Sequence, residues 1–139
     1  GTIRSPLWVG GGTIFGPRPR SYRQDLPKKI KMLAKKSALS HKVKDGQLMI
    51  VEDFNFNAPK TKEFVDILTA LKLSGKKTLL LTNGKQEQVW KSGRNIPKVS
   101  ILEASKASTY HILDNQMLVI QKSAVEAMNM MYQVNKEVV

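Results

Sequence analysis

Residues 48–81 read LMIVEDFNFNAPKTKEFVDILTALKLSGKKTLLL, and this stretch decides the fold. It begins and ends with short runs of aliphatic residues, Leu48–Val51 and Thr78–Leu81. Between them Phe64, Ile67, Leu68 and Leu71 recur at a spacing of 3, 4 and 7, the signature of an amphipathic helix, entered through Ala58-Pro59-Lys60-Thr61. Two further runs, Val99–Leu102 and Met117–Ile120, repeat the pattern downstream, with helical stretches over about Gln86–Ser92 and Thr109–Leu113. A last helix runs from Ser123, read as its N-cap with Glu126 three residues on, to about Tyr132. Strands that are apolar without alternation are buried on both faces, and strands that alternate with helices pair in parallel through right-handed crossovers. The expected fold is therefore α/β: three layers around a mostly parallel sheet of about four strands.

Upstream of this core the composition changes. Leu26-Pro27 opens a basic helix over 27–44, with Pro27 in its first turn and Gly46 at its end. Ile30, Leu33, Ala34, Ser37, Ala38 and His41 fall on one stripe, which predicts the face turned to the domain. Residues 1–24, GTIRSPLWVGGGTIFGPRPRSYRQ, hold five glycines and three prolines and no sustained period. They read as an extended basic arm (1–24) joined to a globular domain (25–139), the arm taking its shape from what it touches. Trp8, Phe15 and Tyr22 set it apart from an ordinary disordered tail, which is poor in aromatics.

The charge is as uneven as the composition. The 139 residues carry a formal net charge of +12. Residues 1–44 hold eleven basic side chains against one acid, Asp25, while the remainder holds twelve against ten. Self-repulsion this dense is offset only by a polyanion, and nucleic acid is the leading class. A membrane surface would need bulky anchors on an amphipathic helix, and the leader is mostly Gly, Pro and Arg. No apolar run approaches the roughly 20 residues that span a bilayer. No cysteine is present, which excludes disulfides, thiolate metal sites and a Cys nucleophile. The first residue is Gly1 rather than Met, as in a processed product or a fragment of something longer.

Catalytic patterns fail on inspection. Gly11 and Gly16 have the spacing of a phosphate loop, but Pro17 and Arg18 stand where Lys and Ser/Thr are required. At the carboxyl ends of the strands, where α/β sheets bind ligands, lie Glu52-Asp53, Asn83-Gly84 and Glu103. Glu52 and Asp53 read as a solvated strand end and Asn83-Gly84 as a plain turn. Two histidines, His41 and His111, supply too few ligands for zinc, His41 being read as packing or RNA-facing, and no G-x-S-x-G elbow occurs. An α/β enzyme that binds a nucleotide, drawing on Glu52, Asp53 and Asn83, is the first rival reading; a regulatory RNA-binding protein is the second. No enzymatic activity and no small-molecule substrate are expected.

The joint pattern of arm and helix carries the expected function. Arg4, Arg18, Arg20 and Arg23 are guanidinium forks suited to phosphate. Gly10, Gly11 and Gly12 permit close backbone approach, with Ser5 beside them, and Trp8 and Tyr22 offer faces to unpaired bases. Lys28, Lys29, Lys31, Lys35, Lys36 and Lys42 on the helix, and Arg94 further on, complete the candidate RNA-binding set.

The residues of this arm also carry a resemblance. Arg4-Ser5-Pro6, Trp8, Gly10-Gly11-Gly12, Phe15-Gly16-Pro17, Pro19-Arg20-Ser21-Tyr22, Leu26-Pro27-Lys28-Lys29 and Lys36-Ser37-Ala38-Leu39-Ser40 resemble the most distinctive block of the family of the fourth protein of the bacterial large ribosomal subunit. Ala58-Pro59-Lys60-Thr61-Lys62 and Arg94-Asn95 followed by Pro97 are similar to it too, so the likeness runs from Gly1 to about Met131. It implies a cytoplasmic, ribosomal protein with an α/β domain outside the subunit and an arm reaching through rRNA toward the exit tunnel. It also implies binding of large-subunit (23S) rRNA early in assembly, neighbouring ribosomal proteins as partners, and no cofactor, Mg²⁺ entering only through the rRNA. Arg4 to Tyr22 would lie on the returning limb of that arm. The family's usual N-terminal portion, with a first strand and helix, the outgoing limb and the tunnel-facing tip, is missing from these residues, which accounts for the narrow sheet and leaves a direct tunnel-lining role unsupported here.

Overall fold

The computed structural model describes residues 1–134. Its elements, in order, are α1 (Lys28–Lys44), β1 (Leu48–Val51), α2 (Thr61–Ala70), β2 (Thr78–Thr82), α3 (Glu87–Gly93), β3 (Val99–Glu103), α4 (Thr109–Asp114), β4 (Met117–Gln121) and α5 (Lys122–Val134). The strands form one sheet in the order β1-β4-β2-β3, and every pairing is parallel. Leu48 lies opposite Leu118, Leu79 opposite both Leu118 and Ser100. The three-layer α/β domain expected from the apolar runs is present, each run ending at or one residue beyond its predicted bound.

Successive side chains of a strand point to opposite faces, so the runs feed two cores at once. Leu79, Leu81, Leu118 and Ile120 meet Ala38 of α1, Ile112 of α4, and Ala124 and Met128 of α5. Leu80 and Val119 turn the other way, toward Phe64 and Leu68 of α2 and Val89 of α3. On that second side the rings of Phe54, Phe56 and Phe64 pack with centroids 5.9–6.3 Å apart. Gly93, at the last turn of α3, permits the closest approach of helix to sheet. A Cβ there would collide with Cδ1 of Ile101 and stand 3.3 Å from the Phe64 ring.

Three local expectations are corrected. Pro27 is the N-cap of α1 rather than its first helical residue. Ser123 does not cap α5, because the helix starts at Lys122 directly from β4. The cap comes instead from the neighbouring strand: the carboxylate of Asp53, past the end of β1, accepts from the Ser123 amide (3.2 Å) and hydroxyl (3.0 Å). Asp53 is thus engaged in satisfying an orphan helix donor, a more definite role than a solvated strand end.

The third correction concerns which face of α1 is buried. The 3.6-residue period is right, but its phase is off by one residue, about 100° of rotation. Of the predicted stripe Ala38 is buried as expected, but Ile30, Leu33, Ala34, Ser37 and His41 are exposed, and Lys35, Leu39 and Lys42 turn toward the domain beside Ala38. Ala38 allows close packing, and the two lysines lay their aliphatic stems inward because backbone carbonyls wait at the far end of each. Lys42, only 5% exposed, donates from Nζ to the Asn115 carbonyl (2.8 Å) and to Oε1 of Gln47 (2.6 Å). Half-buried Lys35 donates to the Ala104 carbonyl at 3.0 Å. These carbonyls lie just before β4 and just after β3, where ladder pairing ends and an acceptor needs another donor.

Candidate nucleic-acid interface

The arm holds no helix and no strand, yet its first half is not extended. Amides of Ser5, Trp8 and Gly11 donate in succession to the carbonyls of Thr2, Ser5 and Trp8, and the Gly12 amide closes back on Arg4 at 3.0 Å. Residues 2–12 therefore form a compact series of turns that brings Arg4, Ser5, Trp8 and Gly10–Gly12 together. Gly11 is what lets the series close, since a Cβ there would collide with the Ser5 carbonyl oxygen. Over residues 13–24 no backbone hydrogen bond holds the chain in a turn or ladder, and only a bend at residues 14–15 interrupts it.

Little on this arm is covered. Trp8 is 64% and Phe15 90% exposed, and Ile3, Leu7, Val9, Ile14 and Tyr22 are exposed as well. Arg4, Arg18 and Arg20 stand in solvent beside them. Cζ of Arg20 sits 4.5 Å from the centroid of Tyr22, which presents a cation and an aromatic plane as one unit. Arg23 is held by Asp25 at 3.0 Å, a pair with both side chains largely in water and worth little on its own. Such an assembly of guanidinium forks, ring faces and closely approachable backbone can grip phosphates and stack on bases, and it has no comparable use within the chain itself.

On α1 the candidate lysines separate. Lys28, Lys29 and Lys31 are exposed in the first turn and continue the arm's positive surface. Lys36 is half-buried, its Nζ 5.1 Å from the Tyr132 ring of α5. Burial lowers the pKa of Lys35 below the ordinary lysine value and raises that of Tyr132 above the ordinary tyrosine value. Lys42 is withdrawn from any surface a phosphate could reach, and Lys35 reaches it only by giving up Ala104. The sequence does not announce this, because lysine facing a core contradicts hydropathy; Ala38, shared by the predicted and the observed face, is the one position the two have in common.

Arg94 is placed apart from the rest. It follows α3, whose Val89 packs on the sheet face opposite the one covered by α1, and its guanidinium lies 4.8 Å over the Trp90 ring. His41 is exposed and paired with Asp45, Nδ1 to Oδ2 at 2.8 Å, so it is not a core residue. His111 serves the N-terminus of α4, where Ser108 and His111 satisfy each other's backbone donors. Among the described residues no three His, Asp or Glu side chains gather as a metal site would require, and no helix is long and apolar enough to cross a membrane.

Fold and surface together define a class: a three-layer parallel α/β domain carrying a cationic, aromatic-rich arm. Comparison with known proteins narrows it. Residues 1–131 match the ribosomal protein L4/L1 family, and the chain belongs to that family. It is 54% identical over 126 residues to the large ribosomal subunit protein uL4 of Chlorobium limicola, covering 91% of this chain and 61% of that protein. The uL4 of Chlorobium chlorochromatii is 53% identical over 129 residues (93% and 62%), and that of Clostridium botulinum strain Eklund 17B 43% over 132 (95% and 63%). The chain thus spans a little over three-fifths of the length of these relatives.

Proposed function

We propose that this chain is a structural, RNA-binding protein of the large ribosomal subunit, which holds 23S rRNA through its arm and the first turn of α1. One observation carries the reading: seven large apolar side chains and four arginines share an arm that buries almost none of them. Relatives bearing the uL4 name support the ribosomal setting. Within that setting the interface consists of Arg4, Ser5, Trp8, Gly10, Gly11, Gly12, Arg18, Arg20, Tyr22, Arg23, Lys28, Lys29 and Lys31, with Lys36 at its margin. Assembly of the subunit from early rRNA intermediates, contact with neighbouring ribosomal proteins and approach of the arm to the exit tunnel belong to the same proposal. The protein needs no cofactor of its own in this role, and Mg²⁺ arrives with the rRNA.

Affinity should be dominated by counterion release. With roughly 6 to 8 phosphates neutralised, log K falls against log salt with a slope of about −5 to −7 for duplex and less for single strands. Titrating the chain into an rRNA fragment at several salt concentrations measures the slope, and a nearly flat response would reject the proposal. Sedimentation with large subunits through high salt separates the ribosomal role from that of a regulator acting elsewhere.

A further inference from the structure

At the carboxyl ends of β2 and β3 the following connections part, one leading to α3 on the face of α2, the other to α4 on the face of α1. Adjacent parallel strands whose connections diverge leave a crevice between them, the usual ligand position in this architecture. Here it has a volume of about 470 Å³, within the roughly 300–1,000 Å³ of small-ligand sites. Its walls include Trp90, Ile101 and Leu102, and Lys85, Lys91 and Lys106 stand at its rim. Arg94, whose guanidinium lies 4.8 Å over the Trp90 ring, is not one of the residues that line it.

The rim is built of shared charges. Glu87 meets Lys85 at 2.8 Å and Lys91 at 3.7 Å, while Glu103 meets Lys106 at 2.7 Å. Three ammonium groups thus face two carboxylates, and the two lysines beside Glu87 hold its carboxyl below the usual range. A ligand that satisfies this rim needs an anionic group for the surplus ammonium, hydrogen-bond donors for the carboxylates, and a flat apolar body for the indole. An acidic peptide supplies the anion but sets more carboxylates against Glu87 and Glu103. A nucleotide supplies all three, through its phosphate, its exocyclic amines and its base.

We infer that this crevice binds a single unpaired RNA nucleotide, its base against Trp90 and its phosphate among Lys85, Lys91 and Lys106. The site is separate from the arm, and it uses none of Glu52, Asp53 or Asn83. It rests on the reading of the chain as an RNA binder and gives the domain a contact of its own. It also gives Arg94 a function at a distance from α1, that of fixing the ring.

The test is a titration of the full chain, labelled with nitrogen-15, with guanosine, adenosine and cytidine monophosphates at millimolar concentration. The indole N–H of Trp90 and the amides of Gly84, Lys85 and Lys106 should shift saturably. Trp90→Ala should weaken binding about tenfold or more, as loss of a stacking face does, and Trp90→Phe should recover part of it. Lys106→Gln tests the rim in a residue exposed enough to leave folding intact. No shift at Trp90 would overturn the inference, as would equal shifts with inorganic phosphate, which reveal an anion site only, or shifts with a hexaglutamate peptide alone, which reveal a protein partner. Binding of rRNA by the arm is read separately through its salt slope, so either reading can fail without the other.

Discussion

The arm and the domain use the same apolar residue types to opposite ends. In the domain Leu79, Leu81, Ile112 and Leu118 are sealed from water, each between a strand and a helix. On the arm Leu7, Val9, Ile14 and Phe15 have no layer to enter. Cations differ in the same way. Lys42 of the domain is hydrogen-bonded and buried, whereas Arg18 and Arg20 face solvent. Exposure of large apolar groups in water is unfavourable, and a native chain retains a contiguous display of them where another surface covers it. The domain is stabilised by its own contacts; the arm leaves its cations and rings exposed, as the proposed rRNA interface requires.

The contrast breaks most sharply at Lys42. Replacing it by Met leaves the Asn115 carbonyl and the Gln47 amide oxygen without their donor, which should destabilise the domain by roughly 2–4 kcal/mol. Urea unfolding measures this, and the salt slope of rRNA binding by the folded fraction should stay as it was. Arg18→Ala combined with Arg20→Ala should do the reverse. The slope should lose about 1.8 units on duplex RNA, while the unfolding midpoint moves by less than the equivalent of about 0.5 kcal/mol. A double variant that unfolds would show that the arm belongs to the core. Gly93→Ala should cost about 1–3 kcal/mol through overpacking against Ile101 and Phe64. It should leave the salt slope alone, and thermal denaturation decides.

The smallest effect concerns Lys35. Burial lowers its pKa from the ordinary 10.5, so the folded chain loses that proton before the unfolded chain does. Between the lowered value and 10.5 the unfolded state binds more protons, and stability rises with pH across that window. Below the window the contribution is constant. Tyr132, raised by burial, acts in the opposite direction above 10.0. The difference in urea midpoint between the wild type and Lys35→Met removes the tyrosine contribution and should grow in favour of the wild type as pH climbs.

Strand positions were legible because a doubly covered parallel strand needs an unbroken apolar run, and the four such runs became the four strands of the sheet. Helical periods were legible for the same reason. The orientation of α1 was not, since its inner face is chosen by two carbonyls, of Ala104 and Asn115, that become its neighbours only in the folded chain. The cap of α5 escaped notice likewise, because Asp53 lies 70 residues before the serine it serves. In the arm, composition marked the cations and rings that the fold leaves exposed, but the turns of residues 2–12 depend on carbonyl partners and a collision at Gly11 that no period records. The crevice at Trp90 depends on two loops from different strands, each unremarkable alone.

The order of the strands has a consequence for how the chain is made. Of the four described strands β1 comes earliest in the sequence, yet its neighbour in the sheet is β4, the one furthest from it along the chain. Leu48 waits for Leu118, and at about 5–20 residues per second that interval lasts several seconds. Throughout it β1 lacks its β4 partner, while residues 1–44 have already been synthesised. The β1–β4 ladder is therefore among the last contacts of the described sheet that synthesis makes available.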